Sequence, residues 1–168
     1  NHINGYHLAQ ASDDRLCELV TPFLDSLENR IEDINLTTAR LKAAMPTLKT
    51  RAATLEELAD QSYFLLRQRP IQLEGKAAKP LKDDETRQRL YRLFTHLGDL
   101  KAWNEAALSD ALKQFAEAES VGFGKIGQPL RAALTGGAPA PDLALVMTFI
   151  GRDETLDRIK DQMTPATT

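Results

Sequence analysis

A single cysteine, Cys17, stands in the 168 residues, so no disulfide framework and no thiolate metal site can be built. Histidine is nearly as scarce. His2 and His7 are five residues apart and share a helix face poorly, and His96 is remote, so the ligand set of a zinc site is missing. Aromatic residues make up only 6% of the chain, which leaves the core to Leu, Ala and Ile. No apolar run reaches membrane-spanning length, and no secretory segment opens the sequence. A cytoplasmic protein without a membrane segment is therefore expected. Period-2 alternation is absent, which argues against strands. The net charge of −3 offers no global attraction for nucleic acid.

What is present is an ordinary globular composition, 42% hydrophobic and 27% charged. Helix signals dominate. Ser12, Asp13 and Asp14 mark a helix start, followed at helical spacing by Leu16, Leu19, Val20, Phe23, Leu24 and Leu27, with a kink expected at Pro22. Thr37 or Thr38 is expected to open a second helix carrying Leu41, Ala44, Met45 and Leu48, bent at Pro46. Thr54 and Glu57 form a capping box for a third helix, whose inner face is Leu55, Leu58, Ala59, Ser62 and Leu66. Residues 68–82 contain Pro70, Gly75 and Pro80 and no helical stripe. Beyond them, Asp83 and Asp84 start a helix with Leu90, Leu93, Phe94 and Leu97, and Asn104 caps the next, with Leu108, Ala111, Leu112 and Phe115 inward. A Pro139–Pro141 turn precedes a helix through Val146 and Phe149 and a last one with Leu156, Ile159 and Met163. The expected architecture is all-α, a helical array in two packed subdomains: residues 1–69, a linker at 70–82, residues 83–163, and a frayed tail at 164–168. The chain begins with Asn1, and Ile3, Tyr6 and Leu8 read as the end of a longer element, so a piece of a larger polypeptide is expected.

The stretch Gly124–Gly137, GKIGQPLRAALTGG, is the most distinctive. Gly124 and Gly127 suggest a tight turn, Pro129 the first turn of a short helix, and Gly136 with Gly137 its end. Leu130, Ala133 and Leu134 would face inward and leave Arg131 projecting, toward an anionic ligand or into a structural salt bridge. Gly122, Gly124 and Gly127 match G-x-G-x-x-G with Asp142 downstream, but the segment follows a helix, so accidental spacing outweighs a dinucleotide fingerprint. The acid pairs Asp13–Asp14, Glu56–Glu57 and Asp83–Asp84 all sit at helix starts, where they complement the macrodipole. No catalytic constellation and no nucleophile context is visible. Trp103, Phe94 and Phe115 lie on apolar stripes and read as core. Two stretches are locally basic: Arg40, Lys42, Lys49 and Arg51 in the first, and Arg67, Arg69, Lys76, Lys79 and Lys82, against Glu74, in the second. Such patches are more often solvated surface than nucleic-acid sites.

Gly124–Lys125, Gln128–Pro129–Leu130–Arg131 and Ala133–Leu134–Thr135–Gly136, followed by Pro141, Leu143 and the Gly151–Leu156 helix start, resemble the C-terminal anticodon-binding region of the bacterial glutamyl-tRNA synthetase family. The resemblance covers essentially the whole chain. Asn1–Leu8 is similar to the segment after the family's KMSKS loop. Arg51, Thr54–Leu55, Glu57–Leu58 and Tyr63–Phe64 resemble its first anticodon-binding subdomain, and Trp103 with the following helix resembles its second.

The resemblance implies an α-helical cage around the anticodon loop of tRNA(Glu), within a ligase that couples glutamate to tRNA using ATP. The HIGH and KMSKS motifs of the catalytic domain are not in this sequence, so the chain should be inactive alone. ATP and Mg would belong to the upstream catalytic domain, with no cofactor or metal here. It implies contacts to RNA from Arg51, Arg131 and Leu143, with Lys49 and Gln128 beside them. Arg51 would read the third anticodon base. Ala140 stands where relatives often have a polar residue and offers no side-chain hydrogen bond. The expected partners are the tRNA and the upstream domain of the same polypeptide, the expected state a monomer. A helical protein-interaction module using the same basic loops is the alternative.

Overall fold

The computed structural model describes residues 5–163; Asn1–Asn4 and the expected tail at 164–168 lie outside the described residues, as do the side chains of residues 5–7. Every named element among the described residues is helical. The chain divides into two compact units, one formed by residues up to Gln68 together with Ala138–Pro141, the other by Arg69–Gly137 and residues from Asp142 onward.

The first unit holds α1 (Gly5–Gln10), α2 (Asp13–Leu24), α3 (Ile34–Leu48) and α4 (Leu55–Leu66). Local capping chemistry sets most of the starts. The Ser12 hydroxyl accepts from the Arg15 N–H at 3.2 Å, and Thr54 from the Glu57 N–H at 3.1 Å. Glu57 returns a bond to the Ala53 N–H at 2.8 Å, one residue outside the position a strict capping box uses. α3 starts earlier than the Thr37 or Thr38 expected from sequence: Asp33 is its N-cap, accepting from the Leu36 N–H at 3.0 Å. Its first residue, Ile34, is 78% exposed, so no apolar stripe announces the first turn. Pro22 and Pro46 each lie two residues before the end of their helix. Lacking an N–H, each sits where the helix is about to stop. Leu27 falls outside α2.

Leu16, Val20 and Leu24 of α2 are buried with Leu41, Met45 and Leu48 of α3, and Leu58, Leu65 and Leu66 of α4 complete this core. Each such side chain contributes roughly 1.5–3 kcal/mol through burial. Arg40 is also buried, donating through Nη1 to the Leu65 carbonyl at 2.8 Å.

The second unit holds a 3-10 helix (Gly75–Lys82), α5 (Asp84–Gly98), α6 (Glu105–Glu119), α7 (Gly124–Thr135) and α8 (Leu143–Met163). The 3-10 helix occupies the stretch read from sequence as a linker. Asp83 caps α5 through the Thr86 N–H, and Asn104 caps α6 through the Ala107 N–H. α8 is broken at Gly151, whose φ of 84° and ψ of 169° are non-helical. This matches the expected pair of helices meeting at Gly151. Leu93 and Leu97, Leu108 and Leu112, Leu130 and Leu134, and Val146 and Met147 meet in the core. Arg158, with its side chain fully buried, pairs with Glu154 at 2.9 Å and donates to the Leu134 carbonyl at 2.7 Å. Trp103 is half-buried, as expected of a packing residue, with its ring N–H on the Met147 carbonyl at 2.8 Å and the Arg152 guanidinium 5.1 Å from its centroid.

Candidate nucleic-acid interface

α7 organises the site in the second unit. Its N-terminal half departs from the sequence reading, because Gly124 begins the helix and Gly127 lies inside it. The glycine that suggested a turn serves a close approach instead: a Cβ on Gly127 would lie 3.1 Å from the Phe123 ring. Pro129 is correspondingly not a first-turn residue but the sixth of the helix. The C-terminal half follows the sequence. Leu130, Ala133 and Leu134 are buried, and Gly136 closes the helix in the left-handed region at φ 66°, its N–H on the Ala132 carbonyl at 2.8 Å.

Packing by those apolar neighbours leaves Arg131 half-buried, at the edge of a cavity of about 260 Å³. Leu143, the first residue of α8, forms part of the same wall and is only 5% exposed. Phe123 completes the wall with 49% of its surface open. Leu112 adds apolar surface, while Glu105 and Asp142 bring negative charge and Lys113 positive. Gln128, one turn before Arg131, is exposed and is not among the residues lining the cavity. A slot with an aromatic and aliphatic face and an arginine at its rim fits a flat, heteroatom-bearing ring. Single-stranded bases are recognised in this manner, by stacking and by hydrogen bonds along their edges.

The structure brings Arg131 and Leu143, the latter named only by the resemblance, to one cavity with Phe123, Lys113 and Asp142, which the sequence reading did not name as site residues. Phe123 immediately precedes the distinctive stretch, yet its close approach to Gly127 is reported by no pattern in the sequence.

The first unit carries Lys49 and Arg51. Lys49, the C-cap residue of α3, is engaged: its ammonium lies 2.9 Å from the Asp13 carboxylate and donates to the Ala11 carbonyl at 3.3 Å. Arg51 lies in the turn before the α4 cap and is exposed. Its Nε donates to the Gln61 side chain at 3.2 Å and Nη2 to the Ala140 carbonyl at 3.3 Å. These bonds engage one edge of the fork and leave Nη1 without a hydrogen-bond partner among the described residues. Ala140, lacking a polar side chain, thus takes part through its backbone.

The family model for the anticodon binding domain matches residues 15–163. The chain belongs to the anticodon-binding domain family. Its curated relatives include glutamate–tRNA ligases. Glutamate–tRNA ligase 1 of Hyphomonas neptunium is 44% identical over 161 residues, 96% of this chain and 32% of the relative. The ligase of Phenylobacterium zucineum is 42% identical over 166 residues, 99% of this chain and 35% of the relative. This anticodon-binding chain therefore spans about a third of the length of the curated relatives it matches. Among solved structures, a glutamate tRNA ligase from Elizabethkingia meningosepticum in complex with its amino acid superposes with a TM-score of 0.74 at 26% identity, over 95% of this chain and 30% of that one. No helix among the described residues is long and apolar enough to cross a membrane.

Proposed function

We propose that the chain reads the anticodon loop of tRNA(Glu) as the anticodon-binding part of a glutamate–tRNA ligase. The observation that carries this reading is the Arg131–Leu143–Phe123 cavity within an anticodon-binding domain whose relatives include glutamate–tRNA ligases. In the cavity, an unstacked base lies against Phe123 and Leu143 while Arg131 donates to its edge or to the adjoining phosphate. Gln128 extends the polar contacts along α7. In the first unit, the open end of the Arg51 fork takes the third anticodon base. Cytosine, which ends the glutamate anticodons, presents acceptors at O2 and N3 that match a donor-only group. Lys49 contributes to a phosphate the hydrogen that Asp13 and Ala11 do not use. ATP and Mg belong to the catalytic part of the parent enzyme, which works as a cytoplasmic monomer and joins glutamate to the tRNA.

The test is a titration of the chain and its Arg131→Ala variant with a tRNA(Glu) transcript, beside thermal melts. The variant should bind more weakly by about 1–3 kcal/mol, the scale of one stacked or bonded base. Its melting temperature should stay nearly unchanged, because Leu130, Ala133 and Leu134 supply the helix packing. A collapse in melting temperature with a parallel binding loss would make Arg131 a structural residue, and no binding by the unsubstituted chain would overturn the reading.

A further inference from the structure

The two locally basic stretches do not survive folding as uniform patches. Arg40 and Arg67 are buried, Arg67 over the Tyr63 ring at 4.9 Å. Lys42 and Lys49 face Asp14 and Asp13, and Arg69 is bound by Asp161 at 2.9 Å and Asp157 at 3.4 Å. The lysines of the 3-10 helix are different. Lys76, Lys79 and Lys82 are all exposed, and none has a hydrogen-bond or ion-pair partner among the described residues. The acids that follow are occupied elsewhere. Asp83 accepts from Thr86, Asp84 pairs with Arg87, and Glu85 pairs with Arg89 at 3.2 Å.

Helix type sets the geometry. A 3-10 helix has 3.0 residues per turn, so residues three apart are eclipsed. Lys76, Lys79 and Lys82 recur at that period, although Pro80, with no N–H for the Ala77 carbonyl, divides the run into two short turns; the burial pattern puts all three lysines outward and Leu81 inward. Within an unbroken 3-10 turn a rise of about 2.0 Å per residue sets stems three apart roughly 6 Å from one another, the scale of successive phosphates along a nucleic-acid strand. The platform is fixed at both ends. The Glu74 N–H donates to the Gly136 carbonyl at 2.8 Å, and Gly137 approaches so closely that a Cβ there would lie 3.3 Å from that of Ala77. At the other end, Arg87 Nη1 donates to the Leu81 and Lys82 carbonyls at 3.1 and 3.3 Å. The row is thus seated against the C-terminus of α7, the helix that carries Arg131.

We propose that Lys76, Lys79 and Lys82 form a phosphate-contact row along the backbone of the bound tRNA, a site that rests on the tRNA reading above. Such contacts position the nucleic acid and carry no sequence information. They add affinity through counterion release, with a salt slope of about 0.7 per contact on single strands. The test is a salt series with a tRNA(Glu) transcript and an unrelated tRNA transcript. It compares the chain with the triple variants Lys76→Gln/Lys79→Gln/Lys82→Gln and Lys76→Arg/Lys79→Arg/Lys82→Arg. The glutamine variant should reduce the slope of log K against log salt by about 2, equally for both transcripts. Its melting temperature should be unchanged, and the arginine variant should keep the full slope. Tight binding by the chain with an unaltered slope in the glutamine variant overturns the row alone and turns it over to an acidic protein partner or to bulk solvent. Failure of the unsubstituted chain to bind either transcript overturns the tRNA reading and the row with it.

Discussion

On the proposed reading, Arg51 acts as a directional probe. An arginine held at one point sweeps a wide volume, whereas bonds to Gln61 and to the Ala140 carbonyl pin Nε and Nη2 and aim the remaining hydrogens. A fork oriented this way selects acceptors and opposes donors. Guanine, which ends the glutamine anticodons, presents N1–H and N2–H on the pairing edge where cytosine presents N3 and O2. Arg51→Gln, able to donate and to accept, should relax the preference between anticodon stem-loops that differ only in the third base. The shift should be on the order of 1–3 kcal/mol, the scale of a bidentate base contact in duplex readout. Equal weakening of both stem-loops would instead assign Arg51 to phosphate. Lys49 is held differently, by the Asp13 carboxylate and the Ala11 carbonyl, which tie the end of α3 to the start of α2 and leave it one hydrogen to offer.

Among the elements, α8 depends on one residue. Gly151 at φ 84° and ψ 169° occupies a region reserved almost wholly for glycine, and a Cβ there would meet nothing within 4 Å. The cost of Gly151→Ala is therefore backbone strain without a clash, about 1–3 kcal/mol, read as a lower denaturation midpoint. A wild-type midpoint would mean that the break is not needed.

The elements also mark where sequence reading works. The caps at Ser12, Thr54, Asp83 and Asn104 were legible because a cap is a contact over three residues. Asp33 was missed because its helix opens on exposed Ile34, with no stripe to follow. The start of α7 was missed because Gly124 and Gly127 carry turn chemistry, while the reason for Gly127 is a neighbouring ring. The 3-10 helix was invisible to a search for a 3.6-residue period, since its own period is three.

At the scale of the molecule, the α-helical class and the family were legible in the sequence, and the cavity was legible only in part. Arg131 and Leu143 could be read from a local motif, but Lys113 and Asp142 reach the same wall from α6 and the turn before α8, a matter of tertiary packing. Each unit carries a candidate contact of its own, Arg51 in the first and Arg131 in the second. The central claim is that these contacts read an anticodon. The most direct measurement exchanges anticodons between a tRNA(Glu) transcript and an unrelated tRNA, leaving both bodies intact, and compares the affinity of the chain for all four molecules. The account predicts that tight binding follows the glutamate anticodon onto the foreign body and leaves the glutamate body that has lost it. Affinities that follow the body, whatever anticodon it carries, would contradict it.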